Sequence, residues 1–454
     1  MRRAMRHFAL PLLLLASAAA AQDQPAPAPA APPPAQGPLE VDVTGGQNGA
    51  QVIAVPAMPT PADTQTPAGS TSTLGQQVAG IIASDLRSTG LFTPLGPNGI
   101  GRYSFAQSTA PDYPTWRSAG AGQLVAGSVR AEGGNLVVAC NLQDVGAGRE
   151  LVHQDFTVAA TDWRRAGHKC ADAIYSRLSG ERAFLDTRVV YVAETGPRNR
   201  LTKRIAIMDS DGSNHRFLTE GDATVTTPRF SPDGTRLAYM SFQGRRPRVW
   251  VLDIASGTKR LLIPGIAMTS APRFSPDGKQ IAFAMSRNGT TDIYIAPAAG
   301  GGTPTRLTSA PGINTAPSFS PDGSRIAFES DRSGSQQIYV MNADGSDQRR
   351  ISFGGGSHGQ PVWSPRGNQI AFTRVGAFRI GVMSASGGGE KILTDGWQDE
   401  SPSWAPNGQF IMFNRTSQGS GATALYAVSV NGGPARRLPT PRDGSDPSWS
   451  PLQD

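Results

Sequence analysis

Few residues in this chain have the type and spacing to do chemistry. Gly355-Gly356-Ser357-His358-Gly359 reads G-x-S-x-G, the frame of a nucleophile elbow, in which a strained strand-to-helix turn presents a serine. The flanks argue against that use. Arg350-Ile351-Ser352 before it reads as a short strand, and Pro361 after it opens a turn unit, not a helix. With 53 glycines in the chain, a chance match to a glycine frame is expected. The five histidines (His7, His153, His168, His215 and His358) make no metal-ligand spacing with one another or with a cysteine. Asp209-Ser210-Asp211-Gly212 and Asn342-Ala343-Asp344-Gly345 resemble fragments of a calcium loop but lack its full spacing and its terminal Glu. Both stand where a hairpin needs a turn. No P-loop or dinucleotide fingerprint occurs. The reading is therefore a non-enzyme with no catalytic residue, no cofactor and no metal.

The elements around these residues are organised by one recurring stretch. Pro228-Arg229-Phe230-Ser231-Pro232-Asp233-Gly234 defines a pattern P-x-[F/W]-[S/A]-P-x-G that begins again at Pro272, Pro317, Pro361 and Pro402. A sixth copy at Pro447 is cut short after Pro451. A period in the low forties is that of four-stranded propeller blades. Within Ser-Pro-Asp-Gly, proline presets φ at the second turn position and glycine tolerates positive φ at the fourth, which predicts a tight turn between two strands. Apolar runs follow each turn, as in Arg236 to Tyr239 and Arg325 to Phe328, and do not alternate with polar residues. Strands buried on both faces read this way. Arg188 to Val192, Arg204 to Asp209 and Arg216 to Thr219 match the later strands of a unit with no turn motif before them, while the motif at Pro447 has a first strand and nothing after it. The two halves predict a six-bladed ring whose closing blade uses both ends of the domain.

Ahead of the repeat, Met1 to Ala21 carries Arg2, Arg3 and Arg6, an apolar run from Phe8 to Ala16 and then Ala19-Ala20-Ala21, the order of a secretory signal peptide. Residues 22–38 are almost entirely Ala, Pro and Gln and predict an extended spacer. Formal charge is +7, and no run of Lys and Arg with interleaved aromatics supports a nucleic-acid partner. Residues 39–184 read as a small α/β domain. Strands are expected at Val41 to Val43, Gln51 to Val55, Leu124 to Val129, Leu136 to Leu142 and Leu151 to Val158. Helices are expected at Leu74 to Leu86 and Asp162 to Leu178. Residues 185–454 form the all-β six-bladed propeller. Cys140 and Cys170 are either a disulfide, which an oxidising compartment permits, or two buried thiols.

This order resembles the TolB family, the periplasmic components of the Tol-Pal envelope system. The resemblance rests on the repeat, on GIIASDLRSTG at Gly80 to Gly90 followed by Phe92-Thr93-Pro94-Leu95, on LVAGSV at Leu124 to Val129, on Leu142 to Gly146, on RAGH at Arg165 to His168 and on PSWSP at Pro447 to Pro451. It implies a periplasmic, monomeric binding protein with two partners, the inner-membrane protein TolA and the peptidoglycan-associated lipoprotein Pal. It also implies a role in outer-membrane integrity and in constriction at division. The segment matching the family's TolA contact is Leu39-Glu40-Val41-Asp42-Val43-Thr44-Gly45-Gly46, displaced from the mature N-terminus by the spacer. Its alternation suits a strand added to a partner's sheet edge or an ordinary first strand of its own domain.

In a propeller the loops from each outer strand to the next inner strand emerge on one face around the central opening. They place Met268, Thr269, Ser270, Asn314, Thr315, His358, Gln360, Asp399, Glu400 and Asp446 there, and the resemblance makes that face the Pal-binding one. Two other readings are a propeller-bearing hydrolase using G-x-S-x-G and a propeller that binds sugar or peptidoglycan fragments. The first lacks room for a separate hydrolase domain.

Overall fold

Each Ser-Pro-Asp-Gly turn is closed by its own side chains. The Ser231 hydroxyl accepts the Arg236 amide (2.9 Å) and donates to the Asp233 carboxylate, which in turn accepts the Thr235 amide (3.0 Å). Ser275 and Asp277 repeat the arrangement with Gln280 and Lys279, and Ser320 and Asp322 with Arg325 and Ser324. Gly234 takes φ +67°, a left-handed conformation that a side chain would strain. The motif thus fixes a hairpin corner from local chemistry alone.

The computed structural model describes residues 50–100, 103–265 and 267–453. Six antiparallel four-stranded sheets make up the propeller. Five are simple meanders, such as Asn314–Phe319, Arg325–Ser330, Gln337–Asn342 and Arg349–Arg350. The sixth is built from both ends: Asp443–Trp449 pairs with Arg188–Thr195, with Thr202–Asp209 and Arg216–Phe217 outside it. The second strands are buried on both faces, as their sequence implied; Phe283, Phe328, Phe372 and Phe413 are each fully inaccessible. Apolar clusters span neighbouring blades. One joins Ile338 and Val340 to Trp363, Ile370 and Phe372. Hydrogen bonds also cross the seams: the Ser318 hydroxyl accepts the Trp363 amide (2.9 Å) and that of Ser403 accepts the Trp449 amide (3.0 Å).

In the N-terminal domain the strand Gln51–Ala54 lies parallel to Phe92–Leu95 on one side and to Gln123–Val125 on the other. The long strand Asn135–Asp144 continues the sheet, pairing with Gln123–Val125, Ser128–Glu132 and Arg149–Ala159. The single strand expected at Leu124 to Val129 is therefore two pieces. They break at Ala126-Gly127, where a Cβ on Gly127 would lie 2.6 Å from the Ala139 carbonyl. Gly133 and Gly134, both at positive φ, make the expected hairpin turn. Helices Thr71–Thr89 and Trp163–Ser179 pack on one face. Ser70 caps the first, and Gly167 brings the second within contact of Ile81. Cys140 and Cys170 are disulfide-bonded, which decides between the two readings of that pair.

The helical face of this domain continues into the propeller on the side of the Ser-Pro-x-Gly turns. Phe184 stacks on Phe410 (centroids 5.0 Å apart) and meets Trp449 edge-on at 6.0 Å. Such aromatic pairs add about 0.5–1.5 kcal/mol beyond their buried area. The connecting chain is held by Asp172, whose carboxylate accepts the amides of Phe184, Leu185 and Asp186, each at 2.8 Å.

Candidate partner-binding face

The N-terminal domain sits against part of the turn side, at Phe410 and Trp449, and the loops between blades lie at the opposite end of the propeller. There each first strand carries the same irregularity. The residue before the motif proline (Thr227, Ala271, Ala316, Gln360, Ser401 or Asp446) has φ between +49° and +58°, and the pairing register slips across it. Proline has no amide to give a ladder, so a bulge is where a strand tolerates it. A non-glycine residue at positive φ is uncommon, and a proline after it narrows its choices further. Six such residues around one axis require support from their surroundings.

Side chains from neighbouring blades supply it at Thr227, Gln360, Ser401 and Asp446. The Asp446 carboxylate accepts the Thr227 amide (3.2 Å) and the Ser401 hydroxyl (2.9 Å). The Gln360 side-chain carbonyl accepts the Ser401 amide (2.9 Å) and the Thr373 hydroxyl (2.8 Å). The Glu329 carboxylate accepts the Gln360 amide (3.0 Å). The Asn414 side-chain carbonyl accepts the Asp446 amide (3.2 Å). These bonds border a central cavity of about 290 Å³ lined by Ser270, Thr315, Gln360, Glu329, Arg229 and Arg273 among others. Burial pulls the Arg229 guanidinium down to about 10, against the raising influence of Asp446. Its Nη1 donates to the Pro228 (2.8 Å) and Pro447 (3.2 Å) carbonyls. Burial lifts Glu329 above the usual carboxylate range. Glu400 is lifted first by burial and then by the neighbouring charge of Asp446.

The ten residues read from the sequence divide. Met268 is exposed on the rim, Ser270, Thr315 and Gln360 line the cavity, and Glu400 and Asp446 stand together beside it, half-buried. Thr269, Asn314, His358 and Asp399 are not solvated loop groups. All four are buried and act within a blade or across the seam to the one before it. Thr269 accepts the Val249 amide (2.8 Å), and Asn314 bridges Asp292 (3.1 Å) to Ser330 (2.8 Å). His358 bonds Glu390 (3.1 Å) and packs on Phe372, and Asp399 holds Arg415 through two bonds of 2.7 and 2.9 Å. Burial keeps His358 below the usual histidine range even with Glu390 beside it. The G-x-S-x-G frame opens the strand Ser357–Trp363, and the next element is Gln369–Val375, another strand and not a helix. The frame does not form an elbow. Sequence reasoning missed Glu329, Ser401 and the bulge itself, whose signal was the common position one residue before every motif proline. It also missed the exposed apolar rim of Phe242, Ile313, Phe353 and Trp397. Leu39 to Gly46, the signal peptide and the spacer lie outside the described residues.

Comparison with known proteins agrees with this architecture. The family model described as the TolB beta propeller domain matches residues 175–453, and that of the TolB amino-terminal domain matches residues 39–151. The chain belongs to the TolB family. A relative from Zymomonas mobilis named "Tol-Pal system protein TolB" is 54% identical over 91% of this chain and 91% of its own. Another of that name from Rhizorhabdus wittichii is 55% identical over 92% and 96%. The crystal structure of TolB from Acinetobacter baumannii superposes with a TM-score of 0.77 at 28% identity, covering 89% of this chain and 97% of that one. The family thus shares both domains as well as the propeller repeat. Among the described residues no helix is long and apolar enough to cross a membrane.

Proposed function

We propose that this chain is a periplasmic adaptor of the Tol-Pal system that binds partners and catalyses nothing. Pal docks on the open loop face of the propeller, and TolA takes the segment Leu39 to Gly46. The assembly serves outer-membrane integrity and constriction at division. The observation that carries the Pal assignment is the set of exposed apolar side chains (Phe242, Met268, Ile313, Phe353, Trp397) around a cavity that holds Arg229, Glu329 and Gln360, on the propeller end opposite the N-terminal domain. Large apolar side chains exposed together on one surface mark a place where a protein partner packs. Glu400 and Asp446 make the cavity edge acidic, so basic groups on the partner are expected there and affinity falls with salt.

A titration with Pal tests this. Thr315→Arg, which fills the cavity, weakens binding at least tenfold without lowering the melting temperature; Asp277→Lys, on the turn side, leaves binding unchanged. Loss of binding in the turn-side variant with retention in Thr315→Arg overturns the choice of face. Deleting residues 22–46 abolishes TolA binding and spares Pal binding. An unchanged TolA affinity removes that assignment.

A further inference from the structure

Where the two domains meet, the Asp209–Ser213 turn of the closing blade comes up against the helices of the N-terminal domain. His168, from helix Trp163–Ser179, is 3% exposed, and its Nδ1 lies 2.6 Å from an Asp85 oxygen on helix Thr71–Thr89. Its other nitrogen, Nε2, is buried with no hydrogen-bond partner and points at Asp211, 3.8 Å away. Asp209 completes the group: donor atoms from His168, Asp209 and Asp211 all lie within 4.8 Å of one another. A distance of 3.8 Å is too long for a hydrogen bond. A buried nitrogen without a partner costs about 1–3 kcal/mol, and that calls for an occupant.

We propose that His168 Nε2 and the carboxylates of Asp209 and Asp211 bind a divalent cation, Zn²⁺ by donor type, at the joint between the domains. Zinc accepts one imidazole and two carboxylates with arms of about 2.0–2.2 Å, and donors in a tetrahedral site stand about 3.4 Å apart. The observed spacing closes to that by small side-chain rotations. Asp85 already occupies the outer position that metal-binding histidines use, taking the Nδ1 proton and leaving Nε2 free for the metal. Asn214 fixes Asp209 (2.6 Å), and the Ser213 amide fixes Asp211 (2.9 Å). One ligand comes from the N-terminal domain and two from the propeller, so the ion clamps the domains together. Arg164 now pairs with Asp211, and the cation takes its place on that carboxylate.

The test uses the mature chain freed of metal by chelation, titrated with Zn²⁺ calorimetrically and with Co²⁺ by visible absorption. One equivalent binds, and Co²⁺ gives the strong absorption of a tetrahedral site. Asp209→Asn, isosteric and on the propeller turn, weakens binding at least tenfold, and His168→Ala abolishes it. Arg164→Gln tightens binding several-fold, because it removes the competing cation. The rival reading, a proton alone held among these carboxylates, is tested in the same experiment. Zinc binding no tighter than in Asp209→Asn, or a six-coordinate Co²⁺ spectrum in every folded variant, overturns the site. If His168→Ala fails to fold, Asp209→Asn and Arg164→Gln decide.

Discussion

The Asp446 carboxylate accepts the backbone amide of Thr227, which lies across the seam between the closing blade and the next. The same carboxylate takes the Ser401 hydroxyl from the blade on its other side. One side chain therefore supports bulges on two neighbours of the closing blade. Asp446→Ala leaves a strained amide and a hydroxyl without their acceptor. The expected cost is roughly 1–3 kcal/mol, the usual penalty for stranding a buried donor. Urea denaturation measures it. A loss below about 0.5 kcal/mol means that water replaces the carboxylate and that these bonds are not structural.

The closing blade is the natural point of failure. Removing residues 447–454 takes away Trp449, which packs on Phe184 and donates to Thr187 (2.8 Å). It also removes Ser450, whose hydroxyl accepts the Arg188 amide (2.9 Å). Val189 and Val190 then lose their partners Trp449 and Ser448, which opens that end of the strand Arg188–Thr195 as an edge. The truncated chain is expected to lose its single cooperative transition and to exchange amide hydrogens rapidly in that strand. A melt superposable on that of the full chain would falsify the role of this closure.

Legibility followed the range of the interactions. The turns were readable because Ser320, Asp322 and Gly323 bond within a few residues of themselves. The closing blade was readable because a half-motif at each end implied its complement. The break at Gly127 was not, since it depends on the approach of Ala139 from another strand. The burial of His358 and Asn314 was not either, since nothing local distinguishes a polar residue beside a loop from one in it. The His168 site was least visible. Asp85 is 83 residues away in sequence, and the aspartates of the blade turn lie in the other domain.

The motif aspartate carries a pH signature. Asp322 is held down to about 2, first by the Ser320 hydroxyl and then by the Ser324 amide and hydroxyl. In the unfolded chain the group titrates near 3.8. Between those values the unfolded state binds more protons, so stability rises with pH there. The contribution is fully present above about pH 4 and lost as pH falls toward 2. Asp322→Ala is expected to flatten the stability profile in that window and leave its shape unchanged above it. Denaturation curves across the acid range check this. A profile equally steep in the variant assigns the acid sensitivity to other carboxylates.

Arg436 is a further tie between the domains. From the outer strand Arg436–Arg437 its guanidinium donates to the Arg87 carbonyl (3.3 Å) and to that of Ser88, in the last turn of helix Thr71–Thr89. A helix end leaves its final carbonyls unpaired and carries partial negative charge, so a cation from another domain acts there as a cap. Burial lowers the pKa of Arg436, a cost of the position that these bonds offset. Gly90 leaves room for the contact, since a Cβ there would collide with the guanidinium. Arg436→Met keeps the apolar stem and removes the donors. Charged hydrogen bonds of this kind contribute about 1.5–3 kcal/mol. The loss should appear locally, as faster hydrogen exchange in the last turn of the helix, with protection of the blade strands unchanged. Uniform loss of protection across both domains would instead make Arg436 part of the propeller's own stability.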